Sequence, residues 1–441
     1  MDQTCEDACA LFQRCISSGA IEYWQKQAQV KIRSCVYSSA VVIWLMILQR
    51  LQPHGTLAGG VEALLAGAAD GWLSRCGLRR RKRTSHRTGG FSHARQRLPK
   101  LLCWQVMREL ILRLRDMLLP EGGRLSYLVD GTSLELEASS SLRKAYPPAE
   151  NQHGRAHWPV LRMVVLHELE TGLAEEPRWG PMYGEKAVSE QELALQALKD
   201  LPAGSTVVWD RNFGVFSMSW GTQQMGHYTL ARLTKQRAYK LAGGPISAEG
   251  EWAVRWKPSR WDGRRQGGIP QEAAVEGRLI AARIGRGKSQ EWLYLFTTVK
   301  LPQEQVVALY GKRYQIETDL RSLKRTVRLH HITARKESML EKELLTAVAA
   351  YNLVRALMAL AARRHNLTPR QLSFTFALNV VNARWHKLQS TRRTQAYQDE
   401  VFGMLDAIAE GALPKRKKFR SYPRAAWHRR HTFPARKEAK A

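Results

Sequence analysis

No apolar run in this chain looks long enough to cross a bilayer, since the most apolar stretch, Ala40 to Leu48, falls well short of the ~20 residues required. No cleavable signal is evident ahead of it, so a soluble, cytoplasmic, nucleoid-associated protein is expected, with no membrane partner. Cysteine is also scarce. The six residues, Cys5, Cys9, Cys15, Cys35, Cys76 and Cys103, fall in the first quarter without C-x2-C pairs. That leaves the C-x3-C of Cys5 and Cys9 as a weak basis for zinc, with free core or surface thiols the expectation. No internal repeat is visible. Acidic residues are the remaining shortage, with 39 Asp and Glu against 69 Lys and Arg and a net charge of +30. Such an excess calls for a polyanionic partner, nucleic acid by default and an acidic membrane surface as the alternative. What is present suffices for folding: 441 residues at 44% hydrophobic content allow two or three domains.

Where the scarce acids stand therefore matters. The stretch from Leu309 to Lys324, LYGKRYQIETDLRSLK, holds Tyr310, Arg313, Glu317 and Lys324 in the spacing Y-x2-R-x3-E-x6-K. On one continuous α-helix these four side chains fall within roughly 60° of each other, as a polar stripe beside an apolar one of Leu309, Ile316, Leu320, Leu323 and Val327. A phosphate backbone lying along the stripe meets Arg313 and Lys324 on either side of Glu317, where a divalent ion is wanted. Taken alone, the stripe also fits a solvated face with i,i+4 pairing.

Residues 1–118 read as helical, with apolar segments Val36 to Leu51 and Leu101 to Leu118. Between them lie the cations Arg79 to Arg83 and the turn-rich Ser85 to Gly90, so a helical DNA-binding region is expected. From there the period becomes extended. Leu125 to Val129 reads as a strand delivering Asp130, and Gly131-Thr132 as a turn into a second strand through Leu134 and Leu136. His157 to Glu168 is a third strand, 188–200 an amphipathic helix, and Thr206 to Trp209 a fourth strand ending on Asp210. A short helix near Val215 to Gln224 and a fifth strand, Tyr228 to Leu233, follow. This order is that of a ribonuclease H-like fold, in which the first and fourth strands lie side by side. A lone aspartate after a strand is usually a turn or cap residue. Two of them with a helical glutamate make the acidic cluster that two-metal phosphoryl chemistry requires.

The fold class expected is α/β with a mixed sheet. The ribonuclease H-like core occupies 119–233 and 299–366, with an inserted β subdomain at 234–298, a helical region at 367–412 and a basic, proline-dotted tail at 413–441. The insertion sets Trp252, Trp256, Trp261 and Trp292 among Arg255, Arg260, Arg264 and Arg265, a composition suited to stacking on bases beside phosphate contacts, although any one tryptophan also fits a core. After the central helix, Met339 to Arg364 reads as a long helix containing Tyr351-Asn352-Leu353-Val354-Arg355 and covering the sheet.

Asp130 in VDGTSLEL, Asp210 in VVWDRNF and the Y-x2-R-x3-E-x6-K segment together resemble the three motifs of the DDE transposases, and within them the insertion-sequence-four family. The resemblance covers residues 90–365. It implies that Asp130, Asp210 and Glu317 are catalytic and bind two Mg²⁺ ions, with Mn²⁺ able to substitute, and that Tyr310, Arg313 and Lys324 contact transposon-end phosphates, assisted by Arg211. Trp292, in EWLYLFTT, stands where relatives carry a tryptophan that stacks on a flipped base. The activity implied is cut-and-paste transposition on double-stranded DNA, at transposon ends and target, by a homodimer or higher oligomer. The rival readings are a two-metal nuclease or resolvase without strand transfer, and a non-catalytic DNA-binding regulator on the same scaffold.

Overall fold

The computed structural model describes residues 17–27, 29, 36–52, 55–67, 70, 85–120, 125–152, 154–259, 262, 269–285, 290–390 and 394–414. Outside them lie Cys5, Cys9, Cys15, Cys35 and Cys76, the cations Arg79 to Arg83, Trp261 with Arg260, Arg264 and Arg265, and the tail from Lys415. Cys103 is described and buried, its thiol pushed up to about 12 by burial.

Among the described residues five helices precede the sheet: α1 (Ser18–Gln27), α2 (Ser39–Leu51), α3 (Leu57–Leu65), α4 (Gly89–Arg97) and α5 (Lys100–Leu118). The sequence of α2, SAVVIWLMILQRL, is apolar on nearly every side, and a helix apolar all round has to be interior. All thirteen of its residues are buried. Its larger apolar side chains contribute roughly 1.5–3 kcal/mol each by leaving water. Ser38 starts it, its hydroxyl accepting from the Val41 N–H at 3.5 Å.

Eight strands then form one sheet: β1 (Ser126–Glu135), β2 (Val160–Glu168), β3 (Arg178–Pro181), β4 (Thr206–Trp209), β5 (Tyr228–Arg232), β6 (Gly250–Trp256), β7 (Val275–Ile284) and β8 (Glu291–Thr297), in the spatial order β3-β2-β1-β4-β5-β8-β7-β6. β1 pairs antiparallel with β2 and parallel with β4, and β4 runs parallel to β5. The first five strands in this order and these directions are a ribonuclease H-like core. Helix α6 (Ser140–Ala145) follows β1, α7 (Glu190–Leu198) joins β3 to β4, α8 (Phe216–Gln224) joins β4 to β5, and α9 (Lys235–Ala242) follows β5.

Two local expectations are corrected. No turn interrupts β1 at Gly131-Thr132, because the strand stays in register with β2 through all nine pairs from Tyr127 to Glu135. The stretch expected as the third strand is β2, and the third core strand is β3, whose short sequence RWGP lies at the sheet edge, where proline is tolerated. The inserted strands form no sheet of their own: β8 pairs antiparallel with β5 and continues the same sheet outward.

Beyond β8 come α10 (Gln303–Gly311), a 3₁₀ turn (Lys312–Tyr314), α11 (Gln315–Arg321), a π turn (Ser322–Thr326), α12 (Glu337–Arg364), α13 (Phe374–Ser390) and α14 (Thr394–Glu410). Among the described residues α12 is the one helix long and apolar enough to cross a membrane, and that apolar stretch is wholly buried in the protein. It shares a single apolar cluster with α2, α4, α5, α13 and α14, with Trp44 of α2 stacked on Trp385 of α13 at 5.2 Å. Asn352 ties α12 to the sheet side, its Oδ1 accepting from the Ala174 N–H and its Nδ2 donating to the Ala174 carbonyl, each at 2.8 Å.

Candidate active site

Side chains alternate along a strand, and this alternation directs the acids. Leu128 of β1 and Val208 of β4 belong to the apolar cluster that also holds Ile316 and Leu320 of α11. Two residues further along each chain come Asp130 and Asp210. Both strands thus deliver their aspartates toward the face on which α11 packs, and α11 carries Glu317. Tyr127 and Val129 point the other way, into a cluster with Leu193 and Ala194 of α7.

The carboxylates feel one another. Burial, the largest influence, pushes the Asp130 carboxyl above the ordinary range. The charges of Asp210 and Glu317 push it the same way, opposed by the Gly131 N–H and by Arg313. Asp130 Oδ1 accepts from that N–H at 2.8 Å. Asp210 Oδ1 accepts from the Asn212 and Phe213 N–H groups at 2.7 and 3.2 Å, a local turn that fixes the loop after β4. Glu317 is half exposed, with Arg313 Nη2 at 3.4 Å.

A fourth carboxylate joins them. Glu190, at the start of α7, is raised by burial first and then by Asp130 and Asp210. Its Oε2 accepts from Asn212 Nδ2 at 3.3 Å, and its other oxygen lies where a Cβ on residue 131 would be, at 1.9 Å. Gly131 therefore answers to this close approach and not to a turn. Reading the sequence missed Glu190, because Ser189 followed by acids is the ordinary signature of a helix start; Ser189 does cap α7.

The other expected residues divide. The segment from Tyr310 to Lys324 is not one uninterrupted α-helix, so the single narrow stripe is corrected. A tighter 3₁₀ turn before Glu317 and a wider π turn after it change the phase. Tyr310 leaves the stripe: its ring is buried in the cluster beneath the sheet, and burial pushes its hydroxyl up against the lowering influence of the Arg313 and Arg232 guanidiniums. Arg313 stays beside Glu317. Lys324, on the π turn, donates to the Ser133 carbonyl at 3.4 Å, which places it over β1 just beyond Asp130. Arg211 is exposed in the loop after Asp210. Trp292 stands apart, half buried on β8, parallel to Tyr294 at 5.9 Å and covered by the Arg283 guanidinium at 4.9 Å from its cross-strand partner position. Trp256 is a core residue, and Trp252 is exposed.

Among the described residues no three of His, Cys, Asp or Glu meet in a finished metal-ligand set. The acids are electrostatic neighbours that do not touch. Their chemistry nonetheless suits a hard dication, since every donor is a carboxylate oxygen and the Asp130 and Glu190 carboxyls, raised first by burial and then by their like-charged neighbours, would be relieved by such an ion.

A ribonuclease H-like sheet with aspartates on its adjacent first and fourth strands and a glutamate on the covering helix defines the class of nucleic-acid-processing enzymes built on this fold. The family model described as the transposase DDE domain matches residues 121–353. The transposase InsG of insertion sequence element IS4 from Escherichia coli strain K12 is 25% identical over 314 residues, covering 69% of this chain and 68% of that relative. The cryo-EM structure of the piggyBac transposase synaptic complex with hairpin DNA aligns over 95% of this chain and 88% of its own, at a TM-score of 0.46 and 9% identity, too distant a likeness to inform the site. The chain belongs to the DDE transposase family, and its kinship is with the IS4 type.

Proposed function

We propose that this transposase acts by cut-and-paste, cleaving DNA at the terminal inverted repeats of its element and joining the freed ends to a target. The observation that carries this reading is the convergence of Asp130, Asp210 and Glu317 on one face of the sheet, close enough for each of the other two to shift the Asp130 carboxyl. These three residues would hold two Mg²⁺ ions, for which Mn²⁺ would substitute, and such ions would supply an activated water or 3′-hydroxyl and stabilise the leaving oxygen. Asp130 is held toward them by its own strand and the Gly131 N–H, and Asp210 by its turn. Arg313, Lys324 and Arg211 supply positive charge around the carboxylates for the phosphates of the end, with Tyr310 fixed beneath them and Trp292 set aside for an unpaired base. Residues 1–118 and the basic tail 413–441 contact DNA outside the 119–233 and 299–366 core, its 234–298 insertion and the 367–412 helices. Two ends are paired by a homodimer or higher oligomer.

The experiment is incubation of purified protein with a plasmid carrying the element's own ends, in Mg²⁺ or EDTA, beside Asp210→Asn and Glu317→Gln. Nicks at the repeat termini followed by hairpin or joined products are expected in Mg²⁺ with the wild type alone. Cutting by Glu317→Gln overturns the assignment, and cutting without joining replaces transposition with simple nuclease action.

A further inference from the structure

The register between β1 and β4 ends at Leu128 and Val208. Asp130 and Asp210 stand just past that last pair, so the β1–β4 ladder does not set their spacing. Each strand is held on its other side, β1 by β2 through Glu135 and β4 by β5 through Trp209 and Ala231. The first turn of α7 crosses the split. The Glu190 side chain lies over the Gly131 backbone, its carboxylate carbon 2.5 Å and its Cγ 2.7 Å from where a Cβ would stand. On the far side its Oε2 accepts from Asn212 Nδ2 at 3.3 Å, and the neighbouring Gln191 Nε2 donates to the Asn212 carbonyl at 3.0 Å. Asn212 in turn gives its N–H to Asp210 Oδ1 at 2.7 Å. One side chain thereby spans from the residue after the first aspartate to the turn that holds the second.

The turn that carries this side chain is itself anchored. Arg162 Nη1 of β2 donates to the Val188 carbonyl at 2.9 Å, and the Val188 N–H donates to the Pro181 carbonyl of β3 at 3.0 Å. Ser189 then caps the helix, its hydroxyl accepting from the Glu192 N–H at 3.0 Å. Leu193 and Ala194, one turn further, pack with Tyr127 and Val129 of β1. An acid that served only the helix N-terminus gains nothing by lying against the sheet, because the helix dipole acts equally on an exposed side chain. Glu192, in the same turn, is such an acid and is exposed, whereas Glu190 is half-buried over a position that carries no side chain.

We propose that Glu190 is a positioning residue that sets the spacing of Asp130 and Asp210, acting on the first through the Gly131 backbone and on the second through Asn212. This role rests on the reading that the two aspartates share divalent ions, and Glu190 need not touch either ion to fill it. Outer partners of this kind orient the groups that hold a metal, and losing one typically costs about 10–100-fold in metal affinity or activity.

The test compares full-length wild type with Glu190→Ala, Glu190→Gln, Asn212→Ala, the Glu190→Ala/Asn212→Ala double variant and Asp210→Asn. Without metal or DNA, amide hydrogen exchange is followed at Asn212 and Phe213, whose N–H groups bond Asp210 Oδ1. With an end-bearing duplex, the cleavage rate and the Mg²⁺ concentration at half-maximal rate are followed. Glu190→Ala is expected to speed exchange several-fold, to slow cleavage about 10-fold or more and to raise the Mg²⁺ requirement. Asn212→Ala should change all three in the same direction, and the double variant should lose no more than Glu190→Ala alone. Glu190→Gln, which keeps an oxygen for Asn212, should restore most of each. Asn212 is exposed, so its variant carries the test if Glu190→Ala does not fold. Exchange in Glu190→Ala equal to the wild type overturns the bridge. Faster exchange with an unchanged rate and Mg²⁺ requirement overturns the positioning role. Losses that multiply in the double variant, or a Glu190→Gln as poor as Glu190→Ala, also overturn it, by separating Glu190 from Asn212 or by assigning the effect to charge. A wild type that does not cut, or an Asp210→Asn that cuts as well, sinks the shared-ion reading and the role with it, while the metal-free exchange still tells whether the bridge exists.

Discussion

Glu317 and Asp319 are two residues apart on α11, and their surroundings are opposite. Glu317 is half exposed, beside one arginine at 3.4 Å and near the carboxylates it repels. Asp319 is fully buried and held by two arginines: Arg370 Nη1 reaches its oxygens at 2.6 and 2.8 Å, and Arg355 Nη2 bonds it as well. Each arginine is anchored in turn. Arg370 donates to the Leu169 and Glu168 carbonyls at 2.7 and 3.0 Å, and Arg355 Nε to the Tyr351 hydroxyl at 2.9 Å. Two uses of negative charge are thereby separated. At Asp319 burial alone would raise the carboxyl, yet its arginines hold it below the ordinary range, so the charge fastens the helix to the sheet and to α12. At the site the charges are left undercompensated, which costs stability and suits them to a cation.

The largest effect should come from breaking the fastened side. Asp319→Ala leaves two buried guanidiniums without their carboxylate and is expected to cost about 3–5 kcal/mol in denaturant unfolding. Glu317→Gln should leave stability unchanged or slightly raised. Equal losses from the two would erase the distinction.

Acid should weaken the same region. His167 is buried against Tyr351, its imidazole lowered from 6.5 to about 4, by burial first and then by Arg355 and Arg370, against Asp319 and the Gly172 carbonyl. The unfolded chain therefore binds a proton that the native state refuses as pH falls from 6.5 toward 4, and stability declines across that window by on the order of 3 kcal/mol. Asp319, whose lowered carboxyl stabilises the native state above its unfolded value, adds a further loss at lower pH. His167→Gln should flatten the decline between pH 6.5 and 4, and an unchanged slope would remove His167 as its cause.

The smallest effect on stability is expected on the undercompensated side. Gly131→Ala puts a Cβ against the Glu190 carboxylate, the free end of a flexible side chain that can swing away. Unfolding should therefore shift by no more than about 1 kcal/mol, while cleavage falls because a displaced Glu190 no longer holds the Asn212 side chain beside the two aspartates. A loss of stability as large as that of Asp319→Ala would mean that the site also serves as scaffold.

The same contrast explains what can be read from the sequence. Asp130 and Asp210 are legible because each follows a short periodic element, and Glu317 because it lies on a patterned helix, and the order of those elements implies their adjacency. Asp319, Arg355 and Arg370 are not, since the arginines lie 36 and 51 residues from the aspartate and nothing local distinguishes a buried arginine on a helix from an exposed one. Glu190 hides behind an ordinary cap. Tyr310 falls in the polar stripe only under a uniform helical period, and the segment changes its winding twice. The unbroken β1 is hidden for a related reason: Gly131 reads as a turn residue, and its actual cause, a side chain from another element, leaves no trace nearby.

The change of winding has a further consequence. Ile316 and Leu320 are embedded beneath the sheet, whereas Leu323 and Val327, just beyond, belong to the cluster of long helices. The segment is therefore anchored in two different apolar clusters, one on either side of the π turn, and the spacing of Glu317 and Lys324 is set by both of them.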